Sequence, residues 1–545
     1  MTLTSEVMGR RMRLPRALTR DVLRETDLQA RMDDGAVLLA DRWVARDRAA
    51  DRQPTVLVRS PYGRRQFFGL IFGRLLAERG LQVVIQSVRG TFGSEGEFSP
   101  FDERPDGLAT LRWLQDQPWH SGPAGMIGPS YLGLVQWAVA AEAGPELAAL
   151  SVHVSASQFH GQTFAGGSLS LETAASWMVL VAAQERRLAP LAMARALRRL
   201  PAQLAHGPLG DLDTRATGAE VAWFREALTS RARGDAYWVA RDFAAGVASV
   251  TAPVQLVGGW YDIFLPWMLA DLAELQAAGR RPQAVIGPWT HTAPELLAHG
   301  LRAGIGWMRT HLLSGSPPPG PPIRVYVTGE RRGGGWRALE TWPPTARELT
   351  LWPAADGALA EAPPAAEEAS GDGYRYDPSD PTPSLGGPVL LARRPVLDNQ
   401  PLEARSDVLV YTTPPLPAAV EAIGTPRVRL YLRASSPFFD VFARVCDVHP
   451  DGTSLNVCDA LVRVPGEHDR TAAEASEVAF ELWPIAHRFA AGHRIRLQVS
   501  SGAHPRYARN PGTGEDLATA SRLQPVEVEL LHDRARPSAV ILPAG

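Results

Sequence analysis

A serine flanked by glycines is the residue around which this sequence's chemistry gathers. Gly125-Met126-Ile127-Gly128-Pro129-Ser130-Tyr131-Leu132-Gly133 carries a short apolar run into Ser130, and Leu134 to Ala141 continue as a helical stretch with almost no polar face. A strand, turn and helix in that order lift a serine hydroxyl above a sheet edge and aim the N–H of the next residue, Tyr131, at a developing oxyanion. A serine hydroxyl is a weak nucleophile and needs a base, and the base needs an orienter. In one known arrangement of a serine on such a turn, the acid and then the histidine follow it in the chain, each from the loop after a strand. Asp262 follows the run Val254–Val257, and His291 follows Ala284–Ile286. Ser130 is then expected to attack a carbonyl, His291 to carry its proton, and Asp262 to fix the imidazole tautomer. The blander alternatives are a helix cap for Asp262 and a structural loop histidine for His291. Among the other histidines, His299 and His311 do not follow a strand directly, and His153, His160 and His206 precede the acid.

The elements that must hold these residues can be read around them. Residues 28–45 alternate about Asp33-Asp34-Gly35, the pattern of a hairpin. Thr55–Arg59 and Leu81–Val88 read as strands, Phe67–Glu78 and Asp106–Gln117 as helices. That alternation predicts an α/β class with a mostly parallel sheet and helices on both faces. After Leu150 the pattern becomes helical (171–185, 191–200, 218–232), as an insertion would. The α/β rhythm resumes at Val254, and one helix, with Pro266 near its start and Gly279 past its end, separates Asp262 from the next strand. The Pro/Gly-rich stretch Ser314–Pro322 reads as a linker, and from Ile323 onward short alternating runs predict a β-sandwich. The expected domains are 1–150 (first part of the α/β core), 151–245 (helical cap), 246–315 (second part, with acid and histidine) and 323–545 (jelly-roll-like sandwich).

Composition narrows the function classes. The 545 residues are 45% hydrophobic and 21% charged, with a net charge of −2, so no field for nucleic acid or an anionic membrane is expected. There is no lysine, which excludes a Schiff-base lysine, a Walker A lysine and a Ser–Lys pair. Cys446 and Cys458 are too few for a disulfide scaffold. With His449 they lack the fourth ligand and the C-x-x-C pair of a zinc site, so no metal or cofactor is expected. Met1–Leu23 holds no apolar run of signal-peptide length, and no segment approaches a membrane span, so the expected location is the cytoplasm.

Four motifs resemble a known family: Arg59-Ser60-Pro61-Tyr62-Gly63, Arg89-Gly90-Thr91-Phe92-Gly93-Ser94-Glu95-Gly96, Gly128-Pro129-Ser130-Tyr131-Leu132-Gly133, and Gly259-Trp260-Tyr261-Asp262 with Gly287-Pro288-Trp289-Thr290-His291. They resemble the CocE/NonD hydrolases, the cocaine esterase and X-prolyl dipeptidyl peptidase branch of the α/β-hydrolases, from about residue 26 onward. The resemblance implies an α/β-hydrolase core, an inserted helical cap and a C-terminal jelly roll. It also implies that Tyr62 donates its hydroxyl to the oxyanion beside the Tyr131 N–H. Pro129 before the nucleophile and Ser87 in place of a frequent aspartate depart from the family pattern.

The expected activity is that of a serine carboxylesterase on small, fairly apolar substrates, working through an acyl-enzyme. The alternatives are an X-prolyl dipeptidyl peptidase or related amidase, an acyltransferase using the same triad, and a binding protein with an inactive core. Asp262 is followed by Ile263-Phe264-Leu265-Pro266-Trp267, where a substrate ammonium would lie desolvated and unpaired. Phe164, Trp177, Trp260 and Phe264 are candidates for an apolar acyl pocket. The partner is then a small ester or amide; the sequence does not specify the oligomeric state.

Overall fold

The computed structural model describes residues 2–316, 320–329, 335–365, 367, 370–464, 466 and 474–545. Part of the expected linker, residues 317–319, lies outside them. The chain divides into two compact units. The first comprises Met1–Phe159, Ala232–Arg324 and Ala338–Thr341; the second comprises His160–Arg231, Val325–Arg337 and Trp342–Gly545.

In the first unit the sheet contains β1 (Val22–Arg31), β2 (Val37–Ala45), β3 (Thr55–Ser60), β4 (Gln82–Ser87), β5 (Ala124–Pro129), β6 (Leu147–His153), β7 (Val254–Tyr261) and β8 (Gln283–Thr290), in the order β1-β2-β4-β3-β5-β6-β7-β8. The hairpin β1–β2 and the β2–β4 pair are antiparallel. From β4 to β8 all neighbours are parallel. Every residue of β3 and β4 is buried, as expected of strands covered on both faces. The helix 67–78 is present from Gln66 to Ala77 with a wider π-turn at Gly69–Arg74, where Gly69 and Gly73 lie against the Trp43 indole. Helices Arg104–Gln115, Tyr131–Ala140, Leu265–Ala277 and Pro294–Leu312 complete the unit.

One strand crosses the boundary drawn at residue 150. β6 runs to His153 and lies between β5 and β7, so the sheet continues where the sequence pattern turns helical. Its second half is rich in polar groups. The Ser151 hydroxyl donates to Gln255 Oε1 at 3.0 Å, and His153 Nε2 lies 2.9 Å from Ser151 Oγ. Since that hydroxyl proton is spent on Gln255, His153 is the donor.

In the second unit, helices Leu171–Ala183, Ala189–Leu204, Leu212–Thr217 and Ala222–Thr229 group with an all-β region. Strand Arg347–Ala354 joins two sets of strands: its first half pairs with Ala539–Ala544 and its second with Ala358–Ala360. One set holds Gly371–Tyr376, Val526–Leu531, Arg427–Ala434 and Ser476–Glu481. The other holds Leu409–Thr412, Arg494–Ser500, Asp440–Val448 and Ser454–Arg463. Val428, Leu430, Val441, Val445, Leu497 and Val528, drawn from both sets, share one buried apolar core. Cys446 and Cys458 are free and buried; burial pushes the Cys446 thiol up to about 12, far from the thiolate that binds metal. No helix among the described residues is long and apolar enough to cross a membrane.

Candidate active site

Ser130 caps β5 and starts the helix Tyr131–Ala140. Its backbone is held at φ 57°, ψ −123°, a strained conformation for a residue other than glycine, and strain of this kind is characteristic of a nucleophile elbow. The turn is fixed on both sides. Ser130 N–H donates to the His153 carbonyl at 2.9 Å, and the Ser130 carbonyl accepts from Gly133 N at 2.8 Å and Leu134 N at 3.1 Å. The late glycine has a steric reason: a Cβ on Gly133 would lie 2.4 Å from Ser155 Cβ. Helix and β6 approach closely at that residue, so the glycine stands at 133 rather than 132. Pro129 ends its strand, where a missing N–H does little harm.

The other two candidates stand at the same sheet edge. Pro129 of β5 is in register with His153 of β6, and His153 with Val257 of β7. Tyr261 of β7 is in register with Thr290 of β8, so Asp262 and His291 leave their strands together. His291 Nδ1 lies 2.5 Å from Asp262 Oδ1. Asp262 Oδ2 accepts from Phe264 N–H at 3.0 Å, so both carboxylate oxygens are engaged. The Asp262 side chain is fully buried and that of His291 is 6% exposed. An ionised aspartate accepting from Nδ1–H leaves Nε2 as the basic nitrogen of a neutral imidazole.

The other histidines differ. Burial, with a smaller effect of His299, lowers His153 to about 3; it is a neutral structural donor whose carbonyl holds the elbow. His299 and His311 both lie on the helix Pro294–Leu312, and burial lowers each, His299 to about 4.

The two proposed oxyanion donors are neighbours. Tyr62 follows β3 half-buried, its ring edge-on to that of Tyr131 at 6.4 Å and stacked on Phe68 at 5.6 Å. Tyr131 is buried and is the first residue of its helix, the position after the candidate nucleophile. Its hydroxyl donates to Glu103 Oε1 at 2.6 Å and accepts from Phe101 N–H at 3.0 Å. Glu103 pairs with buried Arg59 at 2.8 Å. Burial raises the Glu103 carboxyl more than Arg59 and Tyr131 lower it, and burial with the neighbouring Glu103 raises the Tyr131 phenol far above its usual range. Sequence reasoning missed this anchor, because Arg59, Glu103 and Tyr131 belong to three separated segments.

It also missed an aromatic wall. The Phe264 ring lies 5.7 Å from His291 and 4.2 Å from Phe159; Phe159 lies 5.0 Å from Phe101, and Phe101 lies 5.6 Å from Tyr131. An unbroken row of rings thus joins His291 to Tyr131. Of the pocket candidates, Phe264 is in this row and Trp260 is buried on β7. Phe164 and Trp177 belong to the second unit. There Phe164 packs on His160 at 5.6 Å and Trp177 on Trp223 at 4.9 Å.

Comparison with known proteins finds likenesses over nearly the whole chain. Residues 34–293 match the model of the X-Pro dipeptidyl-peptidase (S15) family, and residues 319–541 that of the X-Pro dipeptidyl-peptidase C-terminal non-catalytic domain. Cocaine esterase of Rhodococcus sp. (strain MB1 Bresler) is 29% identical over 576 aligned positions, covering 94% of this chain and 97% of that one. The structure of an α-amino acid ester hydrolase superimposes with a TM-score of 0.80 at 22% identity, covering 98% of both chains. That of an aminopeptidase from a marine-sediment Thaumarchaeota archaeon gives 0.79 at 23% identity, covering 96% of both. The last two likenesses speak to the fold.

Proposed function

We propose, for a chain that belongs to the CocE/NonD family and is a serine hydrolase, that Ser130, His291 and Asp262 are its catalytic triad and that its preferred substrates are small, fairly apolar carboxylic esters. The observation carrying this reading is the Asp262–His291 hydrogen bond at the sheet edge that also bears Ser130. His291 Nε2 takes the Ser130 proton as Oγ bonds to the carbonyl carbon. The oxyanion of the tetrahedral adduct accepts from Tyr131 N–H and the Tyr62 hydroxyl. Collapse expels the alcohol, which leaves with the proton from His291, and a serine ester remains. Water repeats the sequence, with His291 as base, and releases the acid. Asp262 stays ionised and stabilises the imidazolium.

The ester preference rests on the buried row Phe264–Phe159–Phe101 between His291 and Tyr131, apolar surroundings that suit an apolar group better than a free ammonium. The cocaine esterase relative, named for an ester, agrees with it. The family model's description favours a second reading, release of X-Pro dipeptides. Initial rates on 4-nitrophenyl butyrate and Ala-Pro-4-nitroanilide separate the two, with Ser130→Ala as control. Ester turnover alone, lost in the variant, is the expected result. Faster anilide turnover moves the assignment to the peptidase, and activity persisting in Ser130→Ala removes Ser130 as nucleophile.

A further inference from the structure

Among the described residues of the second unit, the densest grouping of histidine nitrogen around carboxylate lies in its β region. Asp447 is the last residue but one of the strand Asp440–Val448 and is 1% exposed. His493 Nδ1 stands 2.8 Å from its Oδ1, His487 Nε2 3.2 Å from its Oδ2, and His449 Nε2 3.9 Å from Oδ2. The His449 and His493 rings are 4.4 Å apart. The ligand atoms of Asp447, His449 and His493 all lie within 4.8 Å of one another.

The backbone makes this grouping. Asp447 and His449 are two apart at a strand end, so they share a side, and Cys446 takes the other. His449 opens a tight turn, in which its N–H donates to Thr453 O and its carbonyl accepts from Gly452 N, both at 2.9 Å. His493 stands just before the strand Arg494–Ser500, in which Ile495 is in register with Asp447. Three imidazoles about one buried carboxylate are more than a simple ion pair requires: one imidazolium already neutralises the charge.

We propose that Asp447, His449 and His493 form a binding site for one divalent transition-metal ion, with zinc as the reference ion, and that His487 is a positioning residue for it. Around tetrahedral zinc with bonds of about 2.1 Å, ligand atoms stand about 3.4 Å apart. His493 Nδ1 lies 2.8 Å from Oδ1 and His449 Nε2 3.9 Å from Oδ2, and one ligand atom from each of the three residues lies within 4.8 Å of the others, close enough for small side-chain adjustments to reach that spacing. Two imidazoles with one carboxylate suit zinc and its late first-row neighbours; magnesium and calcium prefer all-oxygen shells. Solvent takes the fourth position, since the side chains of His449 and His493 are 11% and 13% exposed. His487 holds the second carboxylate oxygen, and its Nδ1 lies 2.9 Å from Thr328 Oγ1. The Thr328 hydroxyl lies 3.0 Å from the Ala486 carbonyl, so Thr328 locks the His487 ring in the manner of an outer-shell partner. The metal ties the turn after Val448 to the turn before Arg494.

The test uses the untagged full-length protein, stripped with a chelator and dialysed against zinc chloride. Metal content is read by mass spectrometry and thermal unfolding in parallel. Wild type is expected to keep one equivalent of zinc and to melt a few degrees higher with it; His449→Ala/His493→Ala keeps less than about a tenth of an equivalent and gains nothing. His449→Gln, a milder change, binds zinc at least about tenfold more weakly. His487→Gln weakens zinc about tenfold while leaving the stoichiometry at one, which a purely structural histidine would not do. Wild type that retains no zinc overturns the proposal, as does a double variant that retains the wild-type equivalent, or, if the double variant does not fold, a His449→Gln variant of unchanged affinity.

Discussion

Among the described residues, two buried aspartates meet histidine, and they do so differently. Asp262 engages one imidazole through one oxygen and gives the other to a backbone N–H. Asp447 faces three imidazoles with its two oxygens. Asp262 and His291 leave adjacent parallel strands at the edge that bears a strained serine; Asp447 and its histidines sit at strand ends and turns of an all-β region. Neither geometry is defined by the Asp–His contact alone. One imidazole on an aspartate at the edge that bears a strained serine suits the proposed base, whereas nitrogens converging on one carboxylate suit the proposed ligand set. The contact is the same type in both places, and the third group decides the chemistry.

The strongest way to break this comparison is at the nucleophile. Ser130→Ala is expected to lower kcat on 4-nitrophenyl butyrate by about 10⁴ to 10⁶-fold, while zinc uptake stays at the wild-type level. Next is Asp262→Asn, expected to lower kcat about 10⁴-fold, because the amide stabilises the wrong imidazole tautomer. The matching change, Asp447→Asn, removes a charged ligand and is expected to abolish zinc retention. If Asp262→Asn cost little activity, the two sites would not differ as described.

A smaller loss tests the oxyanion side. Tyr62→Phe keeps the ring and its packing on Phe68 and removes only the hydroxyl. A drop in kcat of about 10²- to 10³-fold at nearly constant KM is expected. A change confined to KM would make Tyr62 a binding residue instead.

These sites were unequally legible in the sequence. The proposed triad has a reading in the sequence because each member follows a local signal, an apolar run and then a turn, and chain order does the rest. Even the displaced Gly133 was visible, although its cause, the approach of Ser155, is a tertiary contact. β6 was cut at Leu150 because Ser151 and His153, polar residues satisfied inside the sheet, broke the apolar run. The Arg59–Glu103–Tyr131 anchor and the Phe264–Phe159–Phe101 row had no local signature, since their members meet only after folding. At Asp447, half of the pattern was in plain view as Asp447-Val448-His449. His487 and His493 lie about 40 residues on, and the nearby cysteines lack the further partners of a thiolate zinc site, so the sequence offers no reason to expect a metal there.

A third aspartate sharpens the comparison with the least effect. Asp271 is buried on the helix Leu265–Ala277 and accepts from Ser157 N–H at 2.8 Å and from Ser157 Oγ at 2.6 Å. Burial raises it to about 7, and the two Ser157 hydrogen bonds offset only part of that. At Asp447 burial also pushes upward, but hydrogen bonds from His487 and His493 prevail and the carboxyl is lowered. The signs of the two linkages are therefore opposite. Between the ordinary carboxyl value and about 7 the folded protein holds the Asp271 proton more tightly than the unfolded chain does. Its stability contribution is complete at acid pH and is lost as pH rises through about 7. Asp447 contributes above the ordinary carboxyl value and loses its contribution as pH falls through its lowered one. Thermal melts of wild type and Asp271→Asn between pH 5 and pH 8, buffer values spanning the transition at about 7, read the difference. The variant cannot ionise at this position, so its melting point is expected to fall less with rising pH, by a few degrees. Parallel curves would mean that Asp271 is already ionised at pH 5, and that a serine alone can hold a buried carboxylate that at Asp447 is held by histidines.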